Sequence, residues 1–247
     1  MFYKMMRVFA YILFNSIYLI FVRGGVRFEG QENVPKEGGV LITPNHQSFM
    51  DPPTVGVACP RYPYVMAMDW LFKIPVIGQC IAWLRGFPVK AGTADRTSLK
   101  YAEDRLKEGE CVIIFPEGTV SKDTALLPMK PGVMMLASRA NVPIVPTIIE
   151  GTQSLMAYEK AFPQFSKMGI LVRFGKPLTI EQLCGGLRGS AGYHLGAERL
   201  FLAMQALREN RPYPDMPPAE KEVVAKVATA NEERVAPEPE AEPIEKV

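Results

Sequence analysis

Residues 40–51 read VLITPNHQSFMD, and the fold turns on how this stretch is parsed. Gly39 followed by Val40, Leu41 and Ile42 predicts a short buried strand. The chain then turns polar at Thr43, Asn45, His46, Gln47 and Ser48. Asp51 precedes Pro52-Pro53, and an aspartate ahead of proline is a usual helix opening, cap first and then first turn. A strand therefore delivers His46 into a loop, and a helix starts five residues later at Asp51. At the end of a strand, such a pair makes a base and its orienting carboxylate: one ring nitrogen takes a proton while Asp51 holds the other N–H. Five residues along a regular helix turn about 140° around its axis, so the pair needs the bend this loop supplies. An isolated His-x4-Asp reads more plainly as a loop histidine and a cap worth ~1 kcal/mol. What lies downstream changes that balance.

Outward from this stretch, strands and helices alternate. Residues 26–30 (VRFEG) predict a strand, 31–39 a polar loop, and Tyr64–Met68 a second core strand. Residues 71–84 contain Ile74-Pro75 and Gly78, which predicts two short helical pieces rather than one. Residues 85–91 are extended, 94–106 have helix composition up to Gly109, and 111–115 (CVIIF) are the clearest buried strand. A helix over 131–140, strands over Ile144–Glu150 and Ile170–Phe174, and an amphipathic helix over 196–208 complete the pattern. This is an α/β fold: a mixed, largely parallel central sheet flanked by helices.

The two ends differ from the middle. Residues 8–22 are apolar except for Asn15 and Ser16, with Lys4 and Arg7 before them and Arg23 after. A run of 15 residues falls short of the ~20 that cross a bilayer as a helix. No small-residue cleavage site follows it, so a removable signal peptide is not expected. The preferred reading is an N-terminal helix lying in the membrane interface with its basic ends toward headgroups. The alternative is a terminal helix packed on the protein's own core. From Pro212 the chain is rich in Pro, Glu and Ala, which predicts a loose helix over 219–233 and disorder over 238–247. The organisation expected is thus a membrane-associated helix (1–23), a catalytic domain (24–211) and a largely disordered tail (212–247).

Charge follows the same division. Residues 212–247 hold four basic and nine acidic residues, and residues 1–211 hold 24 basic and 17 acidic, so the body carries +7 and the tail −5. A basic body points to an anionic partner: a phosphorylated substrate, an acyl carrier or an anionic membrane face. No Lys/Arg-rich run with interleaved aromatics argues for nucleic acid. Cys59, Cys80, Cys111 and Cys184 are widely spaced among apolar neighbours, and the chain has two histidines, His46 and His194. That pattern predicts buried free thiols in a reducing compartment and no metal site. His194, in a Gly-rich stretch, reads as structural.

After the CVIIF strand come Pro116-Glu117-Gly118-Thr119, a tight polar turn where an open α/β sheet places ligands. Gly118 permits close backbone approach, and Thr119 with exposed N–H groups suits an oxyanion. Taken together, Asn45-His46-x4-Asp51, Phe115-Pro116-Glu117-Gly118-Thr119 and Val142-Pro143-Ile144-Val145-Pro146 resemble the glycerolipid acyltransferases, most nearly the 1-acyl-sn-glycerol-3-phosphate (lysophosphatidic acid) branch. The resemblance runs from about residue 26 to 177.

The resemblance implies that His46 is the general base for the acceptor hydroxyl and that Asp51 orients it. It implies that Glu117, Gly118 and Thr119 shape the pocket for the acceptor's glycerol phosphate, and that residues 142–146 support the acyl-donor side. The donor implied is acyl-CoA or acyl carrier protein as co-substrate, with no cofactor, and the place implied is the cytoplasmic face of the cell membrane, among membrane phospholipids.

This chain departs from the family pattern. Val120 stands where the family usually carries Arg, Lys90 is the cation available in the block Phe87-Pro88-Val89-Lys90-Ala91, and Met68 stands where a lysine is common. Phosphate contacts then fall to Lys90, Lys122 and Lys130, which bind as point charges rather than forks. Two other readings stay open: an acyltransferase for a different lysolipid, and a catalytically silent membrane-binding relative. A Ser-His-Asp hydrolase finds no Gly-x-Ser-x-Gly elbow, and Ser48 reads as a loop hydrogen-bonder.

Overall fold

A computed structural model of the chain describes residues 2–90, 95–157 and 163–219, with the side chains of residues 2–4, 6, 7 and 10 excepted. Lys4, Arg7 and the expected helix and disorder beyond residue 219 lie outside the described side chains and residues. The strands are β1 (Val26–Glu29), β2 (Val40–Pro44), β3 (Tyr64–Met68), β4 (Gly86–Val89), β5 (Cys111–Ile113), β6 (Ile144–Glu150) and β7 (Ile170–Phe174). The helices are α1 (Phe2–Phe21), α2 (Asp51–Ala58), α3 (Ile77–Trp83), α4 (Arg96–Lys107), α5 (Gly132–Ala140), α6 (Thr152–Leu155), α7 (Ile180–Cys184) and α8 (Gly189–Arg208).

One seven-stranded sheet runs in the order β1-β7-β6-β2-β5-β3-β4. Strand β2, with all five residues buried, is its centre and pairs in parallel with β5 (Val40↔Cys111) and β6 (Leu41↔Ile144). Its two faces meet different partners. Leu41, Val112, Ile144 and Ile148 pack with residues of α4, α5, α7 and α8, whereas Val40, Ile42, Ile113, Val145 and Ile149 pack with Val55 and Ala58 of α2. Burial on both faces is why these strands read as unbroken apolar runs rather than alternating ones.

The β6–β7 pair alone is antiparallel among the described strands, and β1 runs parallel to β7. So the carboxyl ends of β2, β5 and β6 share one edge with the amino ends of β1 and β7. Ligands bind at such an edge of an open α/β sheet.

Helix α4 starts two residues later than its composition predicts, at Arg96, because the Asp95 side chain accepts from the amides of Thr97 and Ser98 and caps it there. Residues 71–84 split as expected, into a 3-10 turn (Asp69–Lys73) and α3. Helix α8 begins at Gly189, seven residues before the amphipathic stretch that marked it. Helices α6 and α7 are too short to carry a period, and the sequence reading passed over both.

Both ends of the described chain pack on the domain. Helix α1 does not stand apart: Tyr18 and Val22 are buried with Met50, Leu155 and Ile170, and Phe14, Ile17 and Phe21 pack against them. The Tyr18 hydroxyl lies 2.8 Å from Thr54 Oγ1 of α2. The opposite side keeps Val8, Phe9, Ile12, Ile20 and Leu19 (87%) exposed. Asn15 and Ser16 spend their polar atoms on the helix itself, donating to the carbonyls of Tyr11 and Ile12. Among the described residues no helix is long and apolar enough to cross a membrane. At the other end the packed domain continues past residue 211: Tyr213 and Met216 join the core, and Ala219 N–H donates to Gly185 O. All four cysteines are free, with Cys80 half-buried rather than buried.

Candidate active site

The loop from Asn45 to Met50 is held before any chemistry is considered. Asn45 continues β2 with its side chain, donating through Nδ2 to Ile149 O and accepting from Ile149 N–H, so β6 pins the loop's root. Ser48 Oγ donates to Met156 O, as befits a loop hydrogen-bonder, and Ser121 N–H donates to His46 O.

In this frame His46 Nδ1 lies 2.8 Å from Asp51 Oδ2, and the imidazole stacks on Phe115 with ring centres 4.2 Å apart. The bend a dyad needs is present because the loop is not helical between them. Asp51, however, is not the helix cap. Met50 takes that position, and Asp51 is the first helical residue. Its carboxylate turns back to accept from the Gln47 and Ser48 amides through Oδ2 and from the Thr152 hydroxyl through Oδ1. Asp51 is fully buried while the His46 side chain keeps 16% of its surface. A carboxylate saturated by four donors stays an acceptor and fixes the Nδ1–H tautomer, leaving Nε2 as the basic nitrogen at the surface.

The Pro116–Thr119 turn follows β5 on one side of His46. Glu117 points inward and is 3% exposed, while Gly118 and Thr119 are exposed. Neither Glu117 carboxyl oxygen has a hydrogen-bond partner of good geometry. Burial pushes this carboxyl up to about 8, only partly offset by the facing amides of His46 and Leu127 and by the charge of Arg208. Glu117 is thus largely a protonated, neutral group at pH 7, buried beneath the His46 loop. Gly118 has φ of 73°, and a Cβ there would meet Lys130 Cε at 2.6 Å.

The three lysines assigned to phosphate separate. Lys130 lies over Gly118, and Lys122 is exposed beside Ser121, which is tied to His46 O. Lys90 stands at the end of β4, two strands from β5, in a cleft of about 620 Å³ with Asp69, Asp95, Ser98 and Tyr101. Residues 142–146 lead into and begin the strand beside β2. They are at the amino end of β6, with Val142, Ile144 and Val145 buried, whereas the carboxyl end (Glu150) reaches the site. His194 is fourteen residues before Arg208 on α8, roughly 21 Å along the helix from the catalytic edge.

Thr152, Gln47 and Arg208 were not singled out from sequence. Thr152 had a usable signal, since Gly151-Thr152 follows a buried strand as Pro116–Thr119 does. Arg208 had none beyond its place in a last helical turn.

A sheet that offers a histidine–aspartate pair at its carboxyl edge, beside a glycine turn with a lysine over it, is a framework for group transfer to a hydroxyl. The chain belongs to the acyltransferase family, whose model matches residues 25–150. Its relatives place it in the 1-acyl-sn-glycerol-3-phosphate acyltransferase branch. The Bacillus subtilis (strain 168) protein of that name is 32% identical over 161 residues, covering 65% of this chain and 77% of the relative. The mouse alpha form is 30% identical over 183 residues, 72% of this chain and 62% of the relative. The chloroplastic BAT2 of Brassica napus is 34% identical over 131 residues, but these span only 38% of that longer protein. Among solved structures, the 1-acyl-sn-glycerophosphate (LPA) acyltransferase PlsC of Thermotoga maritima matches with a TM-score of 0.63 and 26% identity, over 84% of this chain and 79% of that one.

Proposed function

We propose that the protein moves a fatty acyl group from a thioester donor, acyl-CoA or acyl carrier protein, to the free hydroxyl of 1-acylglycerol 3-phosphate at a membrane surface, giving phosphatidic acid. The observation that carries this is the His46–Asp51 contact of 2.8 Å through Nδ1, which leaves Nε2 uncommitted on a side chain 16% exposed. His46 Nε2 takes the hydroxyl proton as the oxygen attacks the thioester carbonyl carbon. The tetrahedral adduct then expels the thiolate, which regains that proton from the imidazolium. Each bond made or broken is accounted for by the two substrates, with no acyl-enzyme and no cofactor.

Asp51 holds the ring and offsets the imidazolium charge. Lys130, over Gly118, meets the acceptor phosphate as a point charge, with Lys122 and Lys90 as longer-range contributors. The exposed apolar side of α1 lies on the cytoplasmic leaflet, among membrane phospholipids.

A second reading, a lysolipid with another headgroup, is favoured by Val120 standing where an arginine would fork a phosphate. One assay decides between them: purified protein in detergent with a labelled donor and a panel of lysolipids. His46→Ala should abolish transfer while the protein stays folded, and a folded variant with near-normal turnover would sink the general-base assignment.

A further inference from the structure

On the side of His46 away from Lys130, the catalytic edge opens into a cleft of about 470 Å³ that runs from Gln47 past Glu150 and Arg208 to Arg27. The wall of this cleft is polar in a particular way. Gln47 is 2% exposed, gives Nε2 to Thr124 O at 3.3 Å, and leaves Oε1 buried without a partner. Gln153 Oε1 is buried without a partner too. Thr124, in a left-handed backbone with φ of 65°, also receives Arg208 Nη1 at 3.0 Å, and Arg208 Nε lies 3.3 Å from Glu150 Oε1. At the far end Arg27, on the edge strand β1, is exposed, and its side chain makes no hydrogen bond or ion pair among the described residues.

Orphan carbonyl oxygens call for N–H or O–H donors, and guanidinium groups with open valence call for an anion such as phosphate. The occupant therefore carries amide N–H or hydroxyl groups near His46 and a phosphate farther out. The distance between these ends selects among the substrates. From β2 to β1 is three strand spacings, about 14 Å. In 1-acylglycerol 3-phosphate the phosphorus lies only about 4–5 Å from the reacting hydroxyl, on ordinary bond lengths. With that hydroxyl at His46, its phosphate cannot touch Arg27. A 4′-phosphopantetheine arm, with two amides and a hydroxyl between thioester and phosphate, extends roughly 15 Å.

We propose that this cleft holds the 4′-phosphopantetheine arm common to acyl-CoA and acyl carrier protein, with its phosphate on Arg27 and Arg208 and its amide N–H groups on the carbonyl oxygens of Gln47 and Gln153. The site rests on the acyl-transfer reading for its purpose, though its occupancy is measurable without turnover. Glu150, held by Arg208, accepts the arm's hydroxyl. The acceptor then enters from the Lys130 side, and the two substrates meet at His46 from opposite flanks of β2.

The test is calorimetric binding of 4′-phosphopantetheine and of pantetheine to the full-length protein in detergent micelles. The wild type should bind the phosphorylated arm about tenfold more tightly, as one charge-assisted contact provides. Arg27→Ala, at an exposed position whose side chain has no partner among the described residues, should cut that preference severalfold, to what Arg208 alone supplies, and leave pantetheine binding unchanged. Gln153→Ala should weaken both ligands alike. In turnover, Arg27→Ala should raise the KM for acyl-CoA and for acyl carrier protein by about tenfold and leave the acceptor KM unchanged.

Equal binding of the two ligands by the wild type, or a preference that Arg27→Ala leaves undiminished, overturns the proposal. So does a KM effect confined to acyl-CoA, which would put Arg27 on the nucleotide's own phosphates. A protein that binds the arm yet transfers no acyl group from either donor would overturn the acyl-transfer reading and leave this site standing.

Discussion

Thr152 donates its hydroxyl to Asp51 Oδ1 across 101 residues of chain, and Asp51 holds His46 with its other oxygen. The end of β6 is thereby coupled to the base at the end of β2. Gly151, with φ of 88°, allows the chain to leave β6 sharply enough to present that hydroxyl.

Thr152→Val removes the donor and leaves one buried carboxylate oxygen unsatisfied. The expected cost is about 1–3 kcal/mol in stability, read from urea unfolding. Asp51 is also freer to rotate, so kcat should fall by roughly tenfold, the 1.4 kcal/mol equivalent of one such bond. Thr152→Ser should restore both. A Val variant as stable and as fast as the wild type would make the contact incidental.

Glu117 makes stability depend on pH. Below the ordinary carboxyl range both the folded and unfolded chains hold this proton. As pH rises the unfolded chain loses it while the buried site keeps it up to about 8. The folded state therefore loses relative stability through that window, by up to ~1.4 kcal/mol per pH unit and a few kcal/mol in total, and levels off above it. Glu117→Gln should lack this slope, so its advantage over the wild type should grow from pH 5 to 8 in paired urea titrations. Parallel curves for the two proteins would show that the carboxyl ionises normally.

The central strands were legible because parallel burial on both faces leaves a run such as CVIIF or IVPTIIE with one interpretation. The His46–Asp51 pair was legible only together with the downstream Phe115–Thr119 and Val142–Pro146 blocks, and Asp51 was misread as a cap: proline after aspartate signals a helix start, but not which way the side chain turns. Here two preceding amides and a distant hydroxyl outcompete the helix's own N–H groups. Arg27 and Arg208 had no signal, since nothing local says that the first and last parts of the domain meet at one edge. That meeting is a product of antiparallel β7, which brings β1 alongside and turns its amino end toward the site.

Helix α1 is both core and surface, which changes how its proposed membrane role is tested. Deleting residues 1–22 would uncover Met50, Leu155 and Ile170 and damage the fold along with any anchor. Substitution on the outer side is cleaner: Phe9→Ser with Ile12→Ser leaves Tyr18 and Val22 in place. Each exposed apolar side chain that enters a bilayer contributes on the order of 1.5–3 kcal/mol, so the pair should lower vesicle partitioning at least tenfold. Sedimentation with anionic vesicles reads this directly. Undiminished pelleting, with an unchanged melting curve, would move the membrane contact elsewhere, for instance to exposed Trp70, Val76 and Ile77.

Lys130 is the lysine best placed to meet the acceptor's phosphate. A Cβ at Gly118 would come within 2.7 Å of its Nζ, so the ammonium lies on the exposed turn that follows β5, beside the catalytic loop. Lys130 N–H donates to Pro116 O, which ties its backbone to the same turn. Lys90, two strands away, and Lys122, exposed on the following loop, are not held against Gly118 in this way. Lys130→Met should therefore cut kcat/KM for 1-acylglycerol 3-phosphate by about ten- to a hundredfold, the equivalent of one charge-assisted hydrogen bond of ~1.5–3 kcal/mol. An uncharged lysolipid acceptor should lose little. Lys122→Met and Lys90→Met should have smaller effects, and Lys90→Met the least if two strand spacings separate it from the phosphate. Gly118→Ala gives an independent check, since it strains the left-handed backbone and displaces the Lys130 side chain, and should mimic Lys130→Met in selectivity. Equal specificity constants for the wild type and Lys130→Met with both acceptors would remove Lys130 from phosphate recognition and transfer the preference to an acceptor with another headgroup.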